Sequence, residues 1–275
     1  MILEGIINKS DVNTGRGEEM KQSWEIALDK FVEKWKRKKE VVGMVVCGSY
    51  ITGNPSKHSD IDLQILFDKK VKWRERGNEI IDGVLIEYFA NPLPQNLKYF
   101  ENDYSKRKKI NIHMFLTGRV LFDKNGDIKT IIKKAREWDK KKFVKMGKIP
   151  FELTKYSIWD MKDNLEEVYD CDSGEFYFVY YNYLNELFKD YCNSLRYIDI
   201  PANKLRRFLV NDSDKKKYNV PDFPDKNFLE IFIKAISIKD KTEMMAEYTK
   251  ITNYVLNKMG GFDIDGWKLR SKAGK

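Results

Sequence analysis

Apolar residues recur at three-to-four spacing from about Glu18 to Lys36 (Trp24, Ala27, Leu28, Phe31, Val32, Trp35), which predicts an amphipathic helix with a basic C-terminal end. The pattern then changes period. Residues 41–46 (VVGMVV) are dominated by β-branched side chains and run into Cys47-Gly48-Ser49, as a buried strand entering a turn would. Over residues 60–67, Ile61, Leu63, Ile65 and Phe67 alternate with Asp60, Asp62, Gln64 and Leu66, predicting a second strand. The Asp82-Gly83 turn precedes a third, over 84–90, and the three are expected to share one sheet.

The later chain is helical in pattern. A helical stretch starts near Lys108, a short strand is expected at 119–122, and a helix is expected from about Asp127 to Trp138. Residues 156–169 carry an apolar stripe (Ile158, Met161, Leu165, Val168), and 175–195 are apolar on nearly all sides, as in the central helix of a bundle. Residues 239–259 place Met244, Tyr248, Ile251 and Val255 on one face and stop at Gly260-Gly261. The expected class is α+β: an N-terminal mixed-sheet domain over 1–138 and a C-terminal helical bundle over 139–275.

Composition narrows the function classes. The 275 residues are 42% hydrophobic and 13% aromatic, enough for real cores. No apolar run approaches the roughly 18 to 20 residues of a membrane span, and the N-terminus lacks the layout of a signal peptide, so a cytoplasmic location is expected. Three separated cysteines (Cys47, Cys171, Cys192) and two histidines (His58, His113) support neither a disulfide framework nor a zinc site. The net charge of +9 gathers in the lysine and arginine runs 36–39, 106–109, 140–142 and 215–217. These read first as solvated faces, and second as attraction for a polyanion such as a nucleoside triphosphate or RNA.

One constellation carries chemistry. Gly48-Ser49 ends the first strand, ten residues intervene, Asp60-Ile61-Asp62 opens the second, and Glu87 sits within the third. Strand residues two apart share a face, so Asp60 and Asp62 project together. Carboxylates this close repel, and a hard cation such as magnesium compensates them. Glu87, between Ile86 and Tyr88, would complete a site for two ions clamping the attacking and leaving oxygens of a phosphoryl displacement. At Gly48 the backbone can approach a phosphate closely, and Ser49 reads either as a hydroxyl and amide donor to that phosphate or as an ordinary turn serine.

As they stand, VVCGSYITGNPSKHSDIDLQI and GVLIEYFA resemble the DNA polymerase beta-like nucleotidyltransferase superfamily over about residues 41–90. The resemblance implies a mixed sheet flanked by helices, Asp60, Asp62 and Glu87 as metal ligands, Gly48-Ser49 as the triphosphate loop, Mg2+ as cofactor and ATP as default donor. The segment LTGRVLFDKNGDI and the helical second half look like the small nucleotidyltransferases acting on aminoglycosides or lincosamides, which implies a small hydroxylated acceptor. Where many members carry Ala-Arg-Gly, this chain has Ile51-Thr52-Gly53, and Lys57 is the expected substitute for the missing arginine. Asp160, Asp163 and Glu167 form an acidic helical stripe that reads as solvated surface or, at Asp160, as a catalytic base. Tyr177, Tyr180, Tyr181 and Tyr183 read as core or acceptor pocket, and Lys204, Arg206 and Arg207 as surface or phosphate contacts. Two rival classes stay open: a regulatory or toxin–antitoxin protein on the same fold, and a transferase acting on tRNA or protein.

Overall fold

A computed structural model describes residues 22–172 and 174–272. Five strands form one mixed sheet in the order β3-β4-β2-β1-β5, with β1 at Val41–Cys47, β2 at Ile61–Phe67, β3 at Glu75–Ile81, β4 at Val84–Pro92 and β5 at Arg119–Asp123. Only β2 and β4 run parallel. Every residue of β1 is buried because both of its faces are covered.

Helix α1 (Ser23–Lys36) covers one face, with Ala27, Leu28, Phe31 and Trp35 buried and the Phe31 and Trp35 rings against Tyr88. The start expected near Glu18 falls in part on residues 18–21, outside the described ones. The backbone N–H of Gln22 donates to the Glu25 carboxylate at this helix start. The other face is covered by α3 (Leu93–Ser105), α4 (Ile110–Thr117) and α5 (Asp127–Asp139), which follow the four-residue α2 (Ser49–Thr52) in chain order. A separate core joins α6 (Lys148–Asp170), α7 (Phe176–Ser194), α10 (Lys226–Ala235) and α11 (Lys241–Lys258). Between them, α8 (Leu205–Val210) and α9 (Asp212–Lys217) lead back toward the sheet. The α+β class therefore holds.

Several boundaries differ from the sequence reading. Strand β2 begins at Ile61, so Asp60 stands just before it. Strand β3 was not anticipated, although its side chains alternate between half-buried and exposed as an edge strand's should. Helix α7 is not enclosed on all sides: Tyr177, Phe178 and Tyr181 are exposed, while Tyr180, Leu184, Leu187, Phe188 and Tyr191 are buried. The expected division after residue 138 falls at the end of α5. Residues 141–147 then cross without regular structure to α6, anchored by the buried Phe143.

Candidate active site

The register of the central strands builds the site. Asp62 on β2 lies opposite Cys47 on β1 and opposite Glu87 on β4, which puts both carboxylates on one face at one level. Asp60, at the mouth of β2, adds a third. One oxygen from each of the three lies within 4.8 Å of the others. Burial pushes the Asp62 carboxyl up to about 6, the charges of Asp60 and Glu87 push the same way, and Lys204 opposes them. The buried Cys47 thiol is likewise raised, first by desolvation and then by Asp62.

Gly48 has a structural reason to be glycine. Its φ is +79°, and a Cβ there would stand 2.0 Å from Oδ2 of Asp62. Its missing side chain makes room for the carboxylate. Ser49 then begins α2 beside it. Glu87 accepts from Arg76 on β3, at 2.6 Å from Nη2 and 3.2 Å from Nε, and that guanidinium lies 4.7 Å from the centre of the Phe89 ring. Arg76 was not singled out in the sequence because the strand that carries it was not.

A cleft of about 630 Å³ opens between the two halves. It is lined from the sheet side by Gly48, Ser49, His58, Asp60 and Asp62, from the start of α4 by Lys109 and His113, and from the helical side by Lys204, Arg207 and Tyr218. Glu87 stands beside the cleft, turned to Arg76. Asp139 is shared by His113 (Nε2 to Oδ1, 3.3 Å), Lys109 (2.9 Å) and Asn219 (2.9 Å). The first two hold its carboxyl well below the usual range. A second concavity, about 430 Å³, adjoins at Lys109 and Ile198 and is walled by Lys140, Lys141, Lys142 and Arg196.

The other candidates fall elsewhere. Lys57 is exposed and not part of the cleft wall, whereas Lys204 and Arg207 are. Arg206 turns away and donates to Ser237. Asp160 accepts from Asn164 on the same helix and does not line the cleft, nor do Asp163 and Glu167. Tyr180 is a core residue that donates to the Ala235 carbonyl; Tyr177, Tyr181 and Tyr183 do not line the cleft either.

The family model for the nucleotidyltransferase domain matches residues 28–172, more than half of the chain. The chain belongs to this family. The matched residues run from α1 to just past α6 and include Gly48, Ser49, Asp60, Asp62 and Glu87, so this nucleotidyltransferase carries its acidic cluster within the family's own span. Among solved structures, a nucleotidyltransferase-like protein from Exiguobacterium sibiricum is similar, with a TM-score of 0.44 at 8% identity over 86% of this chain and 75% of that one. No curated protein matches the sequence. Among the described residues, no helix is long and apolar enough to cross a membrane.

Proposed function

We propose that this nucleotidyltransferase moves a nucleoside monophosphate, by default AMP from ATP, onto a hydroxyl of a small acceptor in the cytoplasm, releasing pyrophosphate. The observation that carries this reading is the convergence of Asp60, Asp62 and Glu87 within 4.8 Å beside a cleft that Lys204 and Arg207 also line. The donor set fits magnesium: three hard oxygen ligands, mutually repelling, one of them partly desolvated. When bound there, the ion neutralises charge on the triphosphate and at the attacking and leaving oxygens.

The remaining roles belong to the chain's own groups. Asp60 and Asp62 hold the ion, and Glu87, steadied by Arg76, completes the set. Gly48 admits the Asp62 carboxylate, and Ser49 offers its hydroxyl to a phosphate. Lys204 and Arg207 supply from the helical half the cations that Ile51-Thr52-Gly53 lacks. In this reading residues 1–138 activate the nucleotide and 139–275 help to hold the acceptor. We assign no catalytic role to Asp160.

For the acceptor, the cleft favours a hydroxylated molecule of low positive charge. Lys109 and Arg207 are paired with Asp139 and Asp214, each at 2.9 Å, and Asp199 with Lys108 at 3.7 Å, so it is chiefly Lys204 that would repel a polycationic aminoglycoside. A lincosamide-like acceptor meets this requirement, with antibiotic resistance as the corresponding role. A second reading, transfer to RNA, is favoured by the adjoining basic concavity at Lys140–Lys142 and Arg196.

The test is pyrophosphate release from each of the four nucleoside triphosphates with magnesium, across lincosamides, aminoglycosides and tRNA, comparing the native chain with Asp62→Asn. Release that requires one acceptor and disappears in the variant supports transfer and names the acceptor class. Silence throughout, with no magnesium-dependent triphosphate binding, moves the protein to the regulatory class.

A further inference from the structure

We propose that Asp214 and Tyr218 form a latch that holds the turn after Gly48-Ser49 and the Arg207 guanidinium in one fixed geometry, so that triphosphate binding depends on contact between the two halves. The inference rests on the reading of the cleft as a nucleotide site.

The two oxygens of Asp214 serve the two halves. Oδ1 accepts from Nδ2 of Asn54 at 2.5 Å, and Oδ2 accepts from Nε of Arg207 at 2.9 Å. Tyr218 repeats the bridge with one hydroxyl, accepting from Oγ1 of Thr52 at 2.8 Å and from Nη2 of Arg207 at 2.9 Å. Lys217 closes the set by donating to Oδ1 of Asn54 at 3.0 Å, so both ends of that amide are fixed. On the sheet side, the backbone N–H of Asn54 donates to the Ser49 carbonyl at 2.9 Å. A continuous path of hydrogen bonds therefore runs from Ser49 through Asn54 and Asp214 to Arg207.

This arrangement is more than surface pairing. Asp214 is 9% exposed, and its own backbone N–H is capped by the Asn211 side chain. Charge-assisted hydrogen bonds at such a site are strong and directional. Arg207 has Nε and Nη2 committed, which leaves Nη1 for a ligand in the cleft it lines. An arginine whose rotamer is already fixed loses less freedom on meeting a phosphate. Asp214 and Tyr218 are thus positioning residues: they act through Arg207 and the Ser49 turn.

The experiment titrates magnesium with each of the four nucleoside triphosphates into the full chain, following binding by calorimetry and thermal midpoint in parallel. The variants are Asp214→Asn, Tyr218→Phe, Thr52→Val and the Thr52→Val/Tyr218→Phe pair. The expected result is about tenfold weaker triphosphate binding for Asp214→Asn and for Tyr218→Phe, with the thermal midpoint nearly unchanged for Tyr218→Phe and lowered for Asp214→Asn. The double variant should lose less than the sum of the two single losses, because both remove the Thr52–Tyr218 bond. Unchanged affinity, additive losses, or losses that only track thermal midpoint overturn the latch. No triphosphate binding by the native chain removes the nucleotide reading itself, and the latch with it. Should Asp214→Asn fail to fold, the milder Thr52→Val and Tyr218→Phe cycle decides.

Discussion

At the scale of single residues, the site is a problem of space and charge. Gly48 is the tightest constraint: Gly48→Ala must place a Cβ where Oδ2 of Asp62 lies, at a φ of 79° and a ψ of −160° that essentially only glycine adopts. Backbone strain alone costs about 1–2 kcal/mol, and the clash displaces the carboxylate. The expected outcome is loss of pyrophosphate release together with a lowered denaturation midpoint. Asp62→Asn should act differently. It removes one of three crowded negative charges, so the metal-free variant is expected to be more stable than the native chain by ~1 kcal/mol. Magnesium should raise the thermal midpoint of the native chain but not that of the variant. Thermal unfolding in chelator and in magnesium checks both halves of this expectation; a destabilised metal-free Asp62→Asn would show that the carboxylate supports the fold instead of straining it.

At the scale of elements, β1, β2 and β4 were legible because each has a short apolar run ending at a turn, and the Asp62 and Glu87 carboxylates interrupt those runs where apolar residues belong. Strand β3 was not, since ERGNEII places two glutamates, an arginine and a glycine in its first five positions, and only pairing with β4 through the Asp82-Gly83 turn makes it a strand. Helix α3 was obscured by Pro92 and Pro94, which mark its start rather than prevent it. Helix α7 gives an element-scale prediction. Asp190 is pushed up to about 6, first by burial and then by Glu186, against Arg107 and Lys189. Its folded value lies above its ordinary value of 3.8, so its contribution to stability is fully present below that value and is lost as pH rises through about 6. Asp190→Asn should therefore stabilise the protein at pH 8 relative to the native chain, by about 2 kcal/mol after allowing for partial exposure. The gap should close toward pH 4, as denaturant unfolding across that range would show.

At the scale of the whole molecule, the acidic and the basic residues of the site differ in how far apart they lie in sequence. Asp62 and Glu87 sit on the neighbouring strands β2 and β4, and Asp60 stands just before β2, so local sequence and strand pairing bring the three together. Lys204 and Arg207 reach the same cleft only through the packing of α6, α7, α10 and α11, and no local pattern separates them from Arg206, which points to Ser237. Lys57, close in sequence to the loop, was the natural candidate for the missing phosphate cation, but it stands outside the cleft wall. The comparison that tests this arrangement is Lys204→Ala against Arg206→Ala. The charge of Lys204 partly offsets the rise of the Asp62 carboxyl, so a triphosphate bound at Asp60 and Asp62 lies within its field. Its removal should raise KM for the nucleoside triphosphate about tenfold, equivalent to ~1.4 kcal/mol, with the larger effect at low salt because the interaction is electrostatic. Arg206→Ala, two residues further on, should leave that KM within twofold. Equal effects from the two substitutions would mean that the helical half attracts the nucleotide only through its overall positive charge, and that Lys204 contributes no specific contact.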